Sequence, residues 1–73
     1  MFNVEQLEQI ELGVQEGLNA SIYAKPEFDL RQMWEIRCGL KAGLNASLYA
    51  KPEFKWNQMR EIRERLLEEK NNV

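Results

Sequence analysis

A twelve-residue segment occurs twice in this 73-residue chain, and the repeat constrains the fold more than any other feature. Residues 17–28 and 43–54 read GLNASIYAKPEF and GLNASLYAKPEF, 26 residues apart, and the match continues into the flanking residues. A period of this length is typical of units that bury their apolar faces against neighbouring copies. We therefore predict a single repeat domain over residues 1–73. Its units span about 2–27, 28–53 and 54–73.

The apolar residues of each unit recur at steps of three and four, which places them on one face of a helix. Asn3 and Asp29 each stand three residues before a glutamine, a spacing that predicts a capping box at a helix start. Gly17 and Gly43 stand where a helix needs a left-handed residue to end. No period-two run indicates a strand. The predicted fold is all-α, either a compact helical repeat or a three-helix bundle, with helices at about 4–16, 30–42 and 56–69.

The two segments, which differ only at Ile22 and Leu48, join these helices, and we call them the links (residues 17–28 and 43–54). Asn19 and Asn45 are expected to cap a short helical turn in each link. Twelve extended residues reach about 40 Å and a fourteen-residue helix is about 21 Å long, so each link is long enough to return and leave successive helices parallel. A compact link, giving an antiparallel bundle, is the alternative. Phe28 and Phe54 are expected to be largely buried at equivalent junctions.

Gly13 and Gly39 lie inside predicted helices, where a glycine costs up to about 1 kcal/mol. Close approach by a neighbouring backbone is the expected compensation.

The unit G-L-N-A-S-[IL]-Y-A-K-P-E-F, followed by Q-M-x-E-I-R, resembles a short tandem helical repeat of poorly characterised proteins from anaerobic Gram-positive bacteria. The resemblance spans essentially the whole chain. It implies that such units occur in arrays, often as accessory segments, and it carries no activity, ligand or catalytic residue.

Composition argues against several function classes. Ten basic and twelve acidic residues give a net charge of −2, which provides no long-range attraction for nucleic acid or anionic lipid. One cysteine and no histidine leave no internal disulfide, no Cys/His zinc site and no imidazole base. We expect no enzymatic activity, no cofactor and no metal, and we interpret Cys38 as a packing residue. The acidic first eleven residues resemble neither a signal peptide nor a membrane span, so a bacterial-type cytoplasmic setting without membrane contact is expected.

The function that we predict is a non-enzymatic protein-interaction module built from tandem helical repeats. One alternative is a small nucleic-acid-binding regulator that uses the basic third helix. Another is self-association, because residues 1–37 hold three bases and seven acids while residues 38–73 hold seven bases and five acids.

The candidate partner-binding residues come from two observations. Trp34 aligns with Glu8 and Arg60, so it either widens the apolar arc of the middle helix or is an exposed anchor. The links changed less between copies than the helices did, although their lysines and glutamates have no evident backbone role. This leaves either an ion pair between units or a surface that recognises a partner at the repeat spacing. The predicted binding residues are Tyr23, Lys25, Glu27, Trp34, Tyr49, Lys51 and Glu53.

Overall fold

Three α-helices and a short 3₁₀ turn in each link make up the secondary structure, in a computed structural model that describes residues 1–72. No strand occurs in this part of the chain, so the all-α prediction is confirmed. The third helix ends two residues later than predicted. The helices are α1 (Val4–Gln15), α2 (Leu30–Lys41) and α3 (Trp56–Asn71), and the turns are Ala20–Ile22 and Ala46–Leu48.

Both predicted capping boxes are present. In α1 the Gln6 backbone N–H donates to Asn3 Oδ1 and the Asn3 backbone N–H donates to Gln6 Oε1, each at 2.8 Å. Asp29 starts α2 in the same way. At α3 only half of the box remains, because the Lys55 side chain has no acceptor, although the Lys55 N–H donates to Gln58 Oε1 at 2.8 Å. Local sequence therefore fixes where each helix begins.

Gly17 ends α1 as predicted, with a φ of 73°. The Leu18 N–H donates to the Gly13 carbonyl at 2.9 Å and the Gly17 N–H to the Val14 carbonyl at 3.1 Å, which is the Schellman pattern. Gly43 ends α2 with the same bonds. The expected asparagine caps are wrong: Asn19 Oδ1 accepts from the Ser21 hydroxyl at 2.5 Å and caps no backbone N–H. Its ψ of 77° differs from the extended conformation of an N-cap residue.

Successive helices run parallel. Gln6, near the start of α1, donates through Nε2 to the Phe28 carbonyl just before α2 at 2.6 Å. At the other end, Glu16 pairs with Lys41, the last residue of α2, at 2.9 Å. The same relation holds between α2 and α3, because Gln32 donates to the Phe54 carbonyl at 2.6 Å. Each link therefore returns to the starting end, and the antiparallel alternative does not apply.

The helices form a single flat layer in which α2 packs against both α1 and α3. The molecule measures 39 × 26 × 14 Å, and its smallest dimension is close to the width of one helix with its side chains, about 10–12 Å. The largest fully buried side chains lie on α2, α3 and the links. They are Tyr23, Phe28, Met33, Ile36, Tyr49 and Met59.

Burial depends on how many neighbours a unit has. Phe28 is fully buried as predicted, but Phe54 is only half-buried, so the two junctions are not equivalent. Leu7 aligns with Met33 and Met59, which are fully buried, yet it is 50% exposed. The reason is that the face of α2 holding Met33 packs on α1, whereas the matching face of α1 has no helix against it within residues 1–72.

Tyrosines of the links explain the glycines inside the helices. A Cβ atom added at Gly13 would overlap the Tyr23 hydroxyl, and one added at Gly39 would overlap the Tyr49 hydroxyl. The close approach predicted at these glycines exists, but a side chain makes it rather than a neighbouring backbone. Each link is thus held against the helix that precedes it.

Candidate functional site

The two link tyrosines belong to the core. Both are 0% exposed, and their hydroxyls donate to backbone carbonyls, Tyr23 to Gln9 and Tyr49 to Glu35, the latter at 2.7 Å. Burial raises the pKa of each hydroxyl above its ordinary value. The structure therefore places these two predicted binding residues under the surface, as fixed parts of the fold.

The charged residues of the links are on the surface. Lys25, Glu27, Lys51 and Glu53 are exposed, and none of them takes part in a salt bridge within residues 1–72. The two Lys/Glu sets recur at the repeat spacing of the chain. Ion pairing between units therefore does not explain why both links carry the same lysine and the same glutamate.

Trp34 lies on a different side of α2 from the second link. It is five positions from Gly39, which corresponds to about 140° around a helix at 3.6 residues per turn. Its side chain is 43% exposed, so the middle helix does not bury it as part of a wider apolar arc. Trp34 lines a cleft of about 390 Å³, which we call the Trp–Arg cleft. The lining residues are Gln9, Leu30, Arg31, Trp34, Glu35, Trp56 and Arg60.

Two arginines of the cleft are largely available to a ligand. The Arg31 guanidinium lies 4.8 Å from the centroid of the Trp56 ring, a cation–π contact, and within residues 1–72 it forms no salt bridge. Arg60 contacts Glu64 at 3.4 Å, but both side chains are more than half exposed, so this pair is weak. The cleft therefore combines two indoles with two guanidinium groups.

The other interhelical arginines hold the layer together. Arg63 of α3 donates to the Glu35 carboxylate at 2.8 Å, where Glu35 is 3% exposed. Burial disfavours the charge of Arg63, yet the hydrogen bond and charge of Glu35 outweigh it and raise the arginine pKa. Arg37 of α2 occupies the equivalent position and donates to the neutral Gln9 side chain at 2.9 Å and to Glu16 at 2.8 Å. Hydrogen bonds from Lys41 and Arg37 lower the pKa of Glu16.

Cys38 is half-buried on α2, and burial raises the pKa of its thiol. Because the thiolate is the reactive form, Cys38 is expected to react with a thiol reagent such as dithiobisnitrobenzoate more slowly in the folded protein than in urea-unfolded protein at the same pH. The rate should increase as the pH rises through 8 to 9. A folded-state rate above that of the unfolded chain would contradict the packing role.

The sequence indicated Trp34 but not the rest of the cleft. Trp56 and Arg60 are four positions apart on α3, and Arg31 and Trp34 are three apart on α2, so each pair shares a helix face. That spacing was a usable signal, although it does not show that the two pairs meet. Stacking, cation–π contact and charge-assisted hydrogen bonding are the interactions that the assembled cleft offers.

Among residues 1–72, no three His, Cys, Asp or Glu side chains are grouped so that they would hold a metal ion. No helix in that part of the chain has the length and apolar character needed to cross a membrane. No protein-family model, curated protein or solved structure matches this chain.

Proposed function

We propose that this protein is a non-enzymatic protein-interaction module whose main binding surface is the Trp–Arg cleft. The observation that carries the proposal is the 43% exposure of Trp34 at the edge of this cleft. Tryptophan and arginine are the residues that most often dominate binding energy at protein interfaces, because they remove large surfaces from water and still offer polar contacts.

The shape of the molecule supports binding of a polypeptide segment. The smallest dimension of the molecule is only 14 Å, which leaves less depth for an enclosed small-molecule pocket than a larger domain has. The cleft is open and built mainly from side chains of α2 and α3, with Gln9 of α1, which is suited to a segment that lies across the helices. The proposal keeps the cytoplasmic setting expected from the sequence, where a single unpaired thiol such as that of Cys38 stays reduced.

A second candidate function is binding of single-stranded nucleic acid. Aromatic rings next to arginines are also the groups on which bases stack and phosphates pair. Salt dependence separates the two functions, because a nucleic-acid complex loses affinity steeply between about 50 and 200 mM salt. The net charge of −2 favours the protein partner.

The test is quantitative capture of partners from a lysate of the source cells with four forms of the protein. Trp34→Ala is expected to lose a partner that the wild-type protein retains, by at least tenfold in recovered amount. Leu48→Ala is the matched control, since Leu48 is a 53% exposed apolar residue outside the cleft. Lys25→Gln/Lys51→Gln tests the charged link residues predicted from the sequence.

Circular dichroism must show that all four forms are folded. Equal capture by the Trp34→Ala and wild-type proteins would contradict the role of the cleft. If only Lys25→Gln/Lys51→Gln loses the partner, the binding surface lies on the links instead.

A further inference from the structure

We propose that the Trp–Arg cleft binds an acidic polypeptide segment in which carboxylates stand next to a large apolar side chain. This inference rests on the proposed function and names the chemical class of the partner. It follows from the charges of the cleft, from the position of Arg31 beside the Trp56 ring and from the comparison between units.

The cleft is positively charged. Glu35 is its one acidic lining residue, and the 2.8 Å contact with Arg63 neutralises that carboxylate. Arg31 forms no salt bridge within residues 1–72 and Arg60 has only the exposed, weak pair with Glu64, so the lining of two arginines and one glutamate carries a net positive charge. A segment that carries carboxylates would supply the missing charges.

The matching groove one unit earlier has the opposite character. At an offset of 26 residues, Arg31 aligns with Glu5, Trp34 with Glu8 and Arg60 with Trp34. The groove between α1 and α2 is therefore flanked by carboxylates where the Trp–Arg cleft has a guanidinium and an indole. The positive, aromatic lining belongs to one groove of the layer and is not a general property of the repeat.

The geometry of Arg31 suits a carboxylate. Its guanidinium carbon lies 4.8 Å from the centroid of the Trp56 ring, and Arg31 forms no salt bridge within residues 1–72, so its N–H groups are available to donate. The planar guanidinium matches a carboxylate at two points, which favours a carboxylate over a neutral acceptor. The exposed Trp34 ring beside it provides the surface against which an apolar side chain of the same segment packs.

Two other occupants have to be distinguished from an acidic segment. A single-stranded nucleic acid would find only two guanidinium groups in the cleft, whereas proteins that bind single strands follow the backbone with a positively charged groove over about 4–16 nucleotides. A second copy of this chain would offer Glu5 and Glu8 of α1, both exposed, and so competes directly with an acidic partner segment. Both occupants can be distinguished in the same experiment.

The experiment selects dodecapeptides from a random displayed library. The wild-type protein is expected to enrich peptides with a net negative charge that contain Trp, Phe or Leu. Arg31→Glu/Arg60→Glu should bind a synthetic copy of a selected peptide at least tenfold more weakly, and should gain affinity for a copy in which Lys replaces each acidic residue. Arg65→Glu/Lys70→Glu, with the same change in net charge at exposed positions outside the cleft, should keep the wild-type affinity within about twofold.

Enrichment of neutral or basic peptides would overturn the inference, and so would an acidic peptide that binds Arg31→Glu/Arg60→Glu as tightly as wild type. Tighter binding of poly(U) RNA than of any selected peptide, lost in the same variant, would assign the cleft to nucleic acid. Sedimentation that shows concentration-dependent association, abolished by Glu5→Lys/Glu8→Lys, would assign it to a second copy. If Trp34→Ala loses a captured partner but the selected peptides are not acidic, the proposed function stands and the partner class is wrong.

Discussion

Most molecules of a Tyr49→Ala variant are expected to be unfolded at room temperature. Tyr49 is fully buried, and removal of a buried aromatic side chain costs about 3–5 kcal/mol. The hydrogen bond of its hydroxyl to the Glu35 carbonyl would be lost as well. A domain of this size has a free energy of unfolding of only a few kcal/mol, so the loss is comparable to the total stability of the protein. Urea unfolding followed by circular dichroism measures it.

Two further variants separate the ring from the hydroxyl. Tyr49→Phe keeps the ring and is expected to cost about 1 kcal/mol. Gly39→Ala should cost more in the wild-type background than together with Tyr49→Phe, because the added Cβ overlaps the hydroxyl that the second change removes. If Gly39→Ala lowers the free energy of unfolding equally in both backgrounds, the Tyr49 hydroxyl is not the reason for a glycine at position 39.

Arg63→Met is the second change with a large expected effect, a loss of about 3 kcal/mol or more in the free energy of unfolding. Removal of the guanidinium leaves Glu35 with its carboxylate 3% exposed and without its partner, and an uncompensated buried charge is strongly destabilising. Thermal and urea unfolding give the magnitude.

Arg37→Met is the matched control, because Arg37 occupies the same position in α2 but donates to the neutral Gln9 and to the more exposed Glu16. It should cost clearly less than Arg63→Met. Adding Glu35→Gln to Arg63→Met should recover part of the lost stability, since no buried charge is then left. Similar losses for Arg37→Met and Arg63→Met would mean that burial of Glu35 is not the cause.

The helices were predictable because their start and stop signals are local. Asn3, Asp29, Gly17 and Gly43 act within a few residues of their own positions, so a single sequence reveals them. The parallel direction of the helices was one of two predictions that the sequence left open. A link of twelve residues is long enough to run back to the starting end of the preceding helix, but its length does not require it to do so. The choice depends on contacts such as that from Gln6 to the Phe28 carbonyl, 22 residues away.

The candidate site was predictable only in part. Trp34 stood out because its position holds charged residues in the other two units. Trp56 and Arg60 of the cleft come from α3, and their place beside Trp34 depends on how that helix is rotated. Tyr23 and Tyr49 looked like candidate binding residues because they are identical in both links. Their contacts with Gly13 and Gly39 give a structural reason for a tyrosine at both positions. The structure gives no such reason for the exposed charged residues that also recur in the links, which are Lys25, Glu27, Lys51 and Glu53.

The contact between tyrosine and glycine has a practical consequence for protein design. A link folds back on a helix only where a glycine makes room, and α3 has Arg65 at the position of Gly13 and Gly39. By contrast, Gln58 keeps the amide that in α1 and α2 holds the start of the following helix. An engineer who wishes to append a further unit therefore has to introduce Arg65→Gly and retain Gln58. Glu69→Gly is needed as well, because Glu69 stands at the position where Gly17 and Gly43 end the earlier helices. Each appended unit would widen the layer by about 8–10 Å, the usual distance between packed helix axes, so that width becomes an adjustable property of the scaffold.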